Sequence, residues 1–247
     1  MRNIKLTIEY DGTGFCGWQI QPHHRTVIGE LAKALKKLTG ESPKIEYSSR
    51  TDSGVHALGQ TANFHTKSKT PAAKIKKGLN SLLPCEISVI DAKDVPKDFN
   101  ARFDAKAKLY KYLICDSDHP PAIYRNLIYH FRLGKLNIGK MRSAAKHLIG
   151  KHDFSAFGAN DHNDLHDSPI KTITQITVAR EGGIVTITVK GNGFLYKMVR
   201  RIVGTLIQAG RGRIAPGEVK IILAGKDRSK AGPTAPPHGL FLMKVYY

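Results

Sequence analysis

Residues Ile4, Leu6, Ile8 and Tyr10 alternate with Lys5, Thr7 and Glu9, and Asp11-Gly12 closes the run. That period of two puts an apolar row on one face and a polar row on the other, as in a half-buried strand. Further strand-like runs fall at 44–47, 60–65, 86–91, 106–115, 127–133, 170–180, 184–190 and 240–246. Two of them, 170–180 and 184–190, read as a hairpin across Glu181-Gly182-Gly183. Helical spacing is rarer. Thr26 can cap a helix whose stripe is Ile28, Leu31, Leu35 and Leu38, with Gly40 closing it. Thr70-Pro71 opens a lysine-rich helix (Lys74, Lys76, Lys77) with Ile75 and Leu79 inward. Asn137 caps another, with Ile138, Met141, Ala145 and Leu148 inward and Gly150 at its end. The longest stripe, Leu195, Met198, Val199, Ile202 and Leu206, predicts a helix over 194–209, and a short one follows at 216–224. Strands that follow one another without a helix between argue for an α+β class, with mostly antiparallel sheets packed by helices. A linker-like stretch, 94–104, holds Pro96 and Asn100-Ala101-Arg102, and places the domains at 1–104 and 105–247.

Charge narrows the choice of partner. Lys plus Arg number 39 against 20 Asp plus Glu, a formal net charge of +19. Such an excess favours a polyanion, nucleic acid first and an acidic membrane surface second. Hydrophobic residues make up 41% of the 247, enough for real cores. Cys16, Cys85 and Cys115 are far apart and odd in number, so they read as free thiols in a reducing compartment. The opening residues lack the continuous apolar run of a signal peptide, and no run is long enough to cross a bilayer. A cytoplasmic protein is expected.

Several chemistries lack their residues. There is no G-x-x-x-x-G-K-[ST], no G-x-G-x-x-G between a strand and a helix, and no G-x-S-x-G elbow. Asp161, His162, Asp164, His166 and Asp167 cluster metal donors, but Gly158, Asn160, Asn163 and Pro169 around them favour a loop, and no metal is assigned. A metal-dependent nuclease built on that cluster is one reading; it would lose activity in a chelator. The stretch Ser48-Ser49-Arg50-Thr51-Asp52-Ser53-Gly54-Val55-His56-Ala57 is more informative. Small hydroxyl residues and a glycine surround one carboxylate there, and a nearby guanidinium favours the charged form of such a group. An Asx turn with Arg50 in a surface ion pair is the plain alternative. On the 194–209 helix, Lys197, Arg200 and Arg201 crowd the polar side, either as a solvated face or to meet a carboxylate and a phosphate. Tyr110 and Tyr112 share one face of a strand, for packing or for stacking on a displaced base.

Taken in order along the chain, these blocks resemble the tRNA pseudouridine synthase A (TruA) family. The resemblance runs nearly end to end. Its carriers are Tyr10-Asp11-Gly12 with Phe15 and Gly17-Trp18-Gln19, then Arg50-Thr51-Asp52 with Gly54-Val55-His56-Ala57. Asn80 with Leu83-Pro84, Ala101-Arg102-Phe103 and Tyr110-Lys111-Tyr112 follow. Asp153-Phe154 with Ser155 and Phe157, Ser168-Pro169, Phe194 with Met198 to Gly204, and Ala235-Pro236 with Gly239-Leu240 complete the set. Serine stands at 49, where the family usually has glycine, and at 53, where it often has alanine. The resemblance implies a pseudouridine synthase fold with a central basic cleft between two domains, and a homodimer that binds tRNA. It implies isomerisation of uridine to pseudouridine at positions 38, 39 and 40 of the anticodon stem-loop, with no cofactor, energy source or metal. Asp52 is then the essential aspartate, Tyr110 the tyrosine that stacks on the uracil, and Arg50 and Arg200 the cations that hold the carboxylate charged. Lys197, Arg201 and Arg102 are further candidates for RNA contact. A non-catalytic RNA-binding protein on the same fold would be expected to lack the aspartate or the tyrosine, and both are present.

Overall fold

The computed structural model of the chain describes residues 1–159 and 168–247. It has a mixed α/β architecture, with ten strands and five α-helices among the described residues. The chain divides into two compact units, Met1–Lys106 with Phe241–Tyr247, and Ala107–Leu240.

In the first unit β1 (Arg2–Tyr10) runs antiparallel between β3 (His56–Thr66) and β4 (Ile87–Val95). The apolar row read from sequence is buried, Ile4, Leu6, Ile8 and Tyr10, while of the polar row Glu9 is exposed and Lys5 and Thr7 are half-buried. The short β2 (Ile45–Tyr47) pairs antiparallel with β3, and β10 (Leu240–Tyr246) pairs parallel with it, Phe241 opposite His56. α1 (Val27–Thr39) buries Ile28, Leu31 and Leu35, and ends on Gly40 in the left-handed conformation (φ 75°). α2 (Ala72–Leu82) buries Ile75 and Leu79. Asn80 of α2 brackets Val89 of β4, donating to its carbonyl (3.0 Å) and accepting from its amide (2.7 Å). Those two bonds give the Asn80 of the sequence motif a structural task.

In the second unit β5 (Ala107–Cys115), β9 (Ile184–Gly191), β8 (Ile170–Glu181) and β7 (Gly150–Asp153) lie antiparallel in that order. Gly182 and Gly183 both take positive φ (53° and 81°), the requirement of a tight β8–β9 turn. α3 (Ile138–Lys146) is capped as its sequence predicts, the Asn137 side chain accepting from Lys140 N–H at 2.9 Å. α4 (Met198–Gly210) and α5 (Glu218–Gly225) follow the sheet.

Three local expectations are corrected. The strand expected at 127–133 shrinks to β6 (Tyr129–His130), two residues parallel to β5. Gly150 opens β7 (φ 119°) instead of ending α3. The helix expected from Phe194 begins only at Met198, because Lys197 adopts a left-handed backbone (φ 60°) that helical φ/ψ cannot accommodate. No helix among the described residues is long and apolar enough to cross a membrane.

Candidate active site

Asp52 stands half-buried in the loop between β2 and β3, and both of its flanks are fastened. Upstream, Thr51 is 7% exposed, its hydroxyl 2.7 Å from the Tyr10 phenol and its carbonyl accepting from Trp18 N–H at 3.1 Å. Downstream, Val55 N–H donates to the Asp52 carbonyl (3.1 Å), closing a turn whose Gly54 takes φ 77°. Ser53 donates its hydroxyl to the Phe15 carbonyl at 3.1 Å. Ser48 and Gln60 lock the entry: Ser48 donates to Gln60 Oε1 (2.8 Å) and Gln60 Nε2 to the Ser49 carbonyl (2.7 Å). Ser49 does not take a positive φ, so serine in place of the family's glycine carries no backbone penalty. Arg50 is half-buried in the same loop, two residues before the carboxylate.

Two glycines of the opening motif are explained by this loop. A Cβ on Gly17, itself at φ 85°, would stand 2.6 Å from the Thr51 carbonyl oxygen. One on Gly12 would stand 2.0 Å from the Val55 oxygen. The backbones touch, so side chains are excluded. Gly12 N–H also donates to His56 Nδ1 (3.0 Å), and the His56 ring stacks on Phe241 at 4.8 Å.

In the second unit Tyr110 lies on β5, buried, with the Phe194 ring edge-on at 5.2 Å. Tyr112, two residues along on the same face, is fully buried and donates to the Pro236 carbonyl at 2.7 Å. Burial pushes its phenol well above the usual tyrosine range, Tyr129 adds to that, and the positive charge of Arg200 opposes it. Arg200 sits in the first turn of α4, its Nε donating to the Ala235 carbonyl (2.7 Å) while Ala235 N–H donates back to the Arg200 carbonyl (3.1 Å). The Ala235-Pro236 motif is thus where Arg200 and Tyr112 are tied down. Gly239 packs against the Tyr112 ring, with 2.8 Å from a Cβ to the nearest ring carbon, and Gly204 of α4 meets the Pro233 carbonyl. The motifs alone give no reason for these glycines; the reason is contact between segments distant in the chain.

The remaining candidates differ in setting. Lys197, the residue before α4, reaches over the Tyr196 ring (4.9 Å). Arg201 turns inward to its own unit, its Nη1 donating to the Arg228 carbonyl at 3.3 Å. Arg102 is exposed on a loop of the first unit, its guanidinium 5.7 Å from the Phe103 ring centroid. That loop is anchored through Ala101, whose amide donates to Asn63 Oδ1 (2.8 Å) and whose carbonyl accepts from the Tyr247 phenol (2.9 Å). Among the described residues no three His, Cys, Asp or Glu side chains converge as a metal site, and the 161–167 cluster lies outside those residues.

A family model described as tRNA pseudouridine synthase matches residues 6–104 and 144–247. Over all 247 residues, and the full length of each relative, the chain is 49% identical to a protein named tRNA pseudouridine synthase A from Thermoanaerobacter sp. (strain X514). It is 47% identical, again at full length of both, to proteins of that name from Caldicellulosiruptor saccharolyticus and Clostridium kluyveri.

Proposed function

Because the chain belongs to the tRNA pseudouridine synthase family and isomerises uridine to pseudouridine in the anticodon stem-loop of tRNA, we propose that Asp52 is the group that acts on the ribose. The targets are uridines 38, 39 and 40. In this reaction the N1–C1′ bond breaks, the uracil turns, and a C5–C1′ bond forms. The proton on C5 is lost and N1 gains one, so no external oxidant or reductant enters the balance. Asp52 attacks C1′ or removes a proton from the sugar; either route uses an ionised carboxylate. Arg50 and Arg200 are the cations assigned to act beside it. Tyr110 stacks on the uracil and assists loss of the C5 proton, a step that needs a base. Uridines in a stem leave their stack before a carboxylate can reach C1′, at a cost of about a few kcal/mol. Phosphate contacts from residues such as Arg102 and Lys197 offset it, whereas Arg201, turned inward to the Arg228 carbonyl, is not counted among them. The working form is a cytoplasmic homodimer.

What supports Asp52 above all is the bonding on either side of it. Its neighbours are held by hydrogen bonds to a separate segment, while Asp52 itself is only partly buried. Tritium release from [5-³H]uridine-labelled tRNA tests the reading. The wild type releases label and Asp52→Asn does not. Equal release by both would end the assignment of Asp52. Release by neither would favour a binding protein.

A further inference from the structure

We propose that Tyr10 is a positioning residue for the isomerisation, acting through Thr51 to aim the Asp52 carboxylate. The inference rests on the reading of Asp52 given above and extends it to a residue that touches no substrate. Tyr10 ends β1 and is 3% exposed, with the Trp18 ring tilted against its own at 5.8 Å. Trp18 is in turn 5.6 Å from the Tyr47 ring, at the end of β2. The Tyr10 phenol therefore sits at the tip of a packed aromatic row, where a rotamer change would open a cavity. That oxygen lies 2.7 Å from Thr51 Oγ1.

Threonine is a suitable receiver because its branched Cβ leaves χ1 little freedom. Fixing Oγ1 therefore fixes the Thr51 backbone as well. The Thr51 carbonyl is held independently by Trp18 N–H (3.1 Å) and backed by the left-handed Gly17. The next peptide leads to Asp52. With Val55 seated on Gly12 and Ser53 bonded to the Phe15 carbonyl, the backbone on both sides of Asp52 is held from residues 10 to 18. A misplacement of about 1 Å at a reacting group can cost about 10²-fold in rate. The Tyr10–Thr51 bond guards against a shift of that kind. It does so without contact to RNA, so its loss should fall on turnover and spare binding.

The test is steady-state and single-turnover kinetics on an anticodon-arm tRNA substrate with Tyr10→Phe, Thr51→Val, the double variant, Thr51→Ser and Asp52→Asn. Tyr10→Phe is expected to lower kcat about 10-fold or more while KM stays within about twofold. Thr51→Val should match it, and the double variant should lose no more than either single one. Thr51→Ser, which keeps the hydroxyl, should recover most of the rate. Tyr10→Phe at wild-type kcat, with Asp52→Asn inactive, would overturn the role of Tyr10 and leave Asp52 standing. Asp52→Asn at wild-type rate would instead overturn the reading beneath it. Losses that follow the folded fraction by circular dichroism would also contradict positioning. Should Tyr10→Phe fail to fold, the contrast between Thr51→Val and Thr51→Ser decides.

Discussion

Gly17 concentrates the demands of the site at one residue. Its φ of 85° is one that L side chains rarely adopt, and a methyl group there would collide with the Thr51 carbonyl. Gly17→Ala is expected to destabilise the chain by about 1–3 kcal/mol, from left-handed strain and overpacking together. Chemical denaturation measures that loss, and turnover should fall further than the folded fraction does. A stable and fully active Gly17→Ala would show that the loop tolerates displacement. Tyr112 offers a second case. Its phenol is buried and bonded to the Pro236 carbonyl, so Tyr112→Phe should cost about 1 kcal/mol in the same assay. The loop around Asp52 was legible in the sequence as a carboxylate among small hydroxyl residues with a glycine two positions on, a pattern an Asx turn also fits, and only the family resemblance made that aspartate the candidate. The partners that hold its loop were not, because Tyr10, Gly12 and Gly17 lie about forty residues upstream and nothing in local spacing links them.

At the level of elements, period-two and period-3.6 patterns placed most strands and helices, since burial of one face is a local property of sequence. Boundaries failed where backbone geometry overrides apolar spacing. Leu195 sits at a helical interval from Met198, yet the left-handed Lys197 stops the helix between them. The run 127–133 is apolar enough for a strand, but only Tyr129 and His130 find a ladder partner. The pairing of β10 with β3 joins the last residues to the fifties, and no spacing argument reaches that far. α4 also depends on a contact invisible in its stripe. A Cβ on Gly204 would come within 1.7 Å of the Pro233 oxygen, so Gly204→Ala must push α4 away from the segment that holds Arg200 through Ala235. A loss of about 3 kcal/mol or more is expected on thermal unfolding, with overpacking as its cause. An unchanged melting temperature would contradict that packing.

For the whole molecule, charge governs both stability and binding. The Arg25 guanidinium, bonded to Glu86, holds that carboxyl down at about 2, and Lys226 with Ser155 does the same for Asp153, also to about 2. Both folded values lie below those of the unfolded chain. Their stabilisation is therefore complete above the ordinary carboxylate range and is lost as pH falls toward 2. Asp153→Asn should lower stability near neutrality, where that contribution is complete, and flatten the acid limb, so that variant and wild type converge as pH falls toward 2. Both pairs are partly exposed, so salt should reduce the effect. The net charge of +19 should appear as steep salt dependence of tRNA binding. Arg102→Gln is expected to lower the slope of log K against log salt by about one and to weaken binding evenly across tRNAs. The measurement that bears most directly on the account is single-turnover pseudouridine formation by Asp52→Asn, with tRNA affinity determined on the same preparation. With Asp52 acting at the ribose, tRNA binds at near wild-type affinity and no pseudouridine forms in the anticodon arm. Pseudouridine formed at the wild-type rate by that variant would contradict that role.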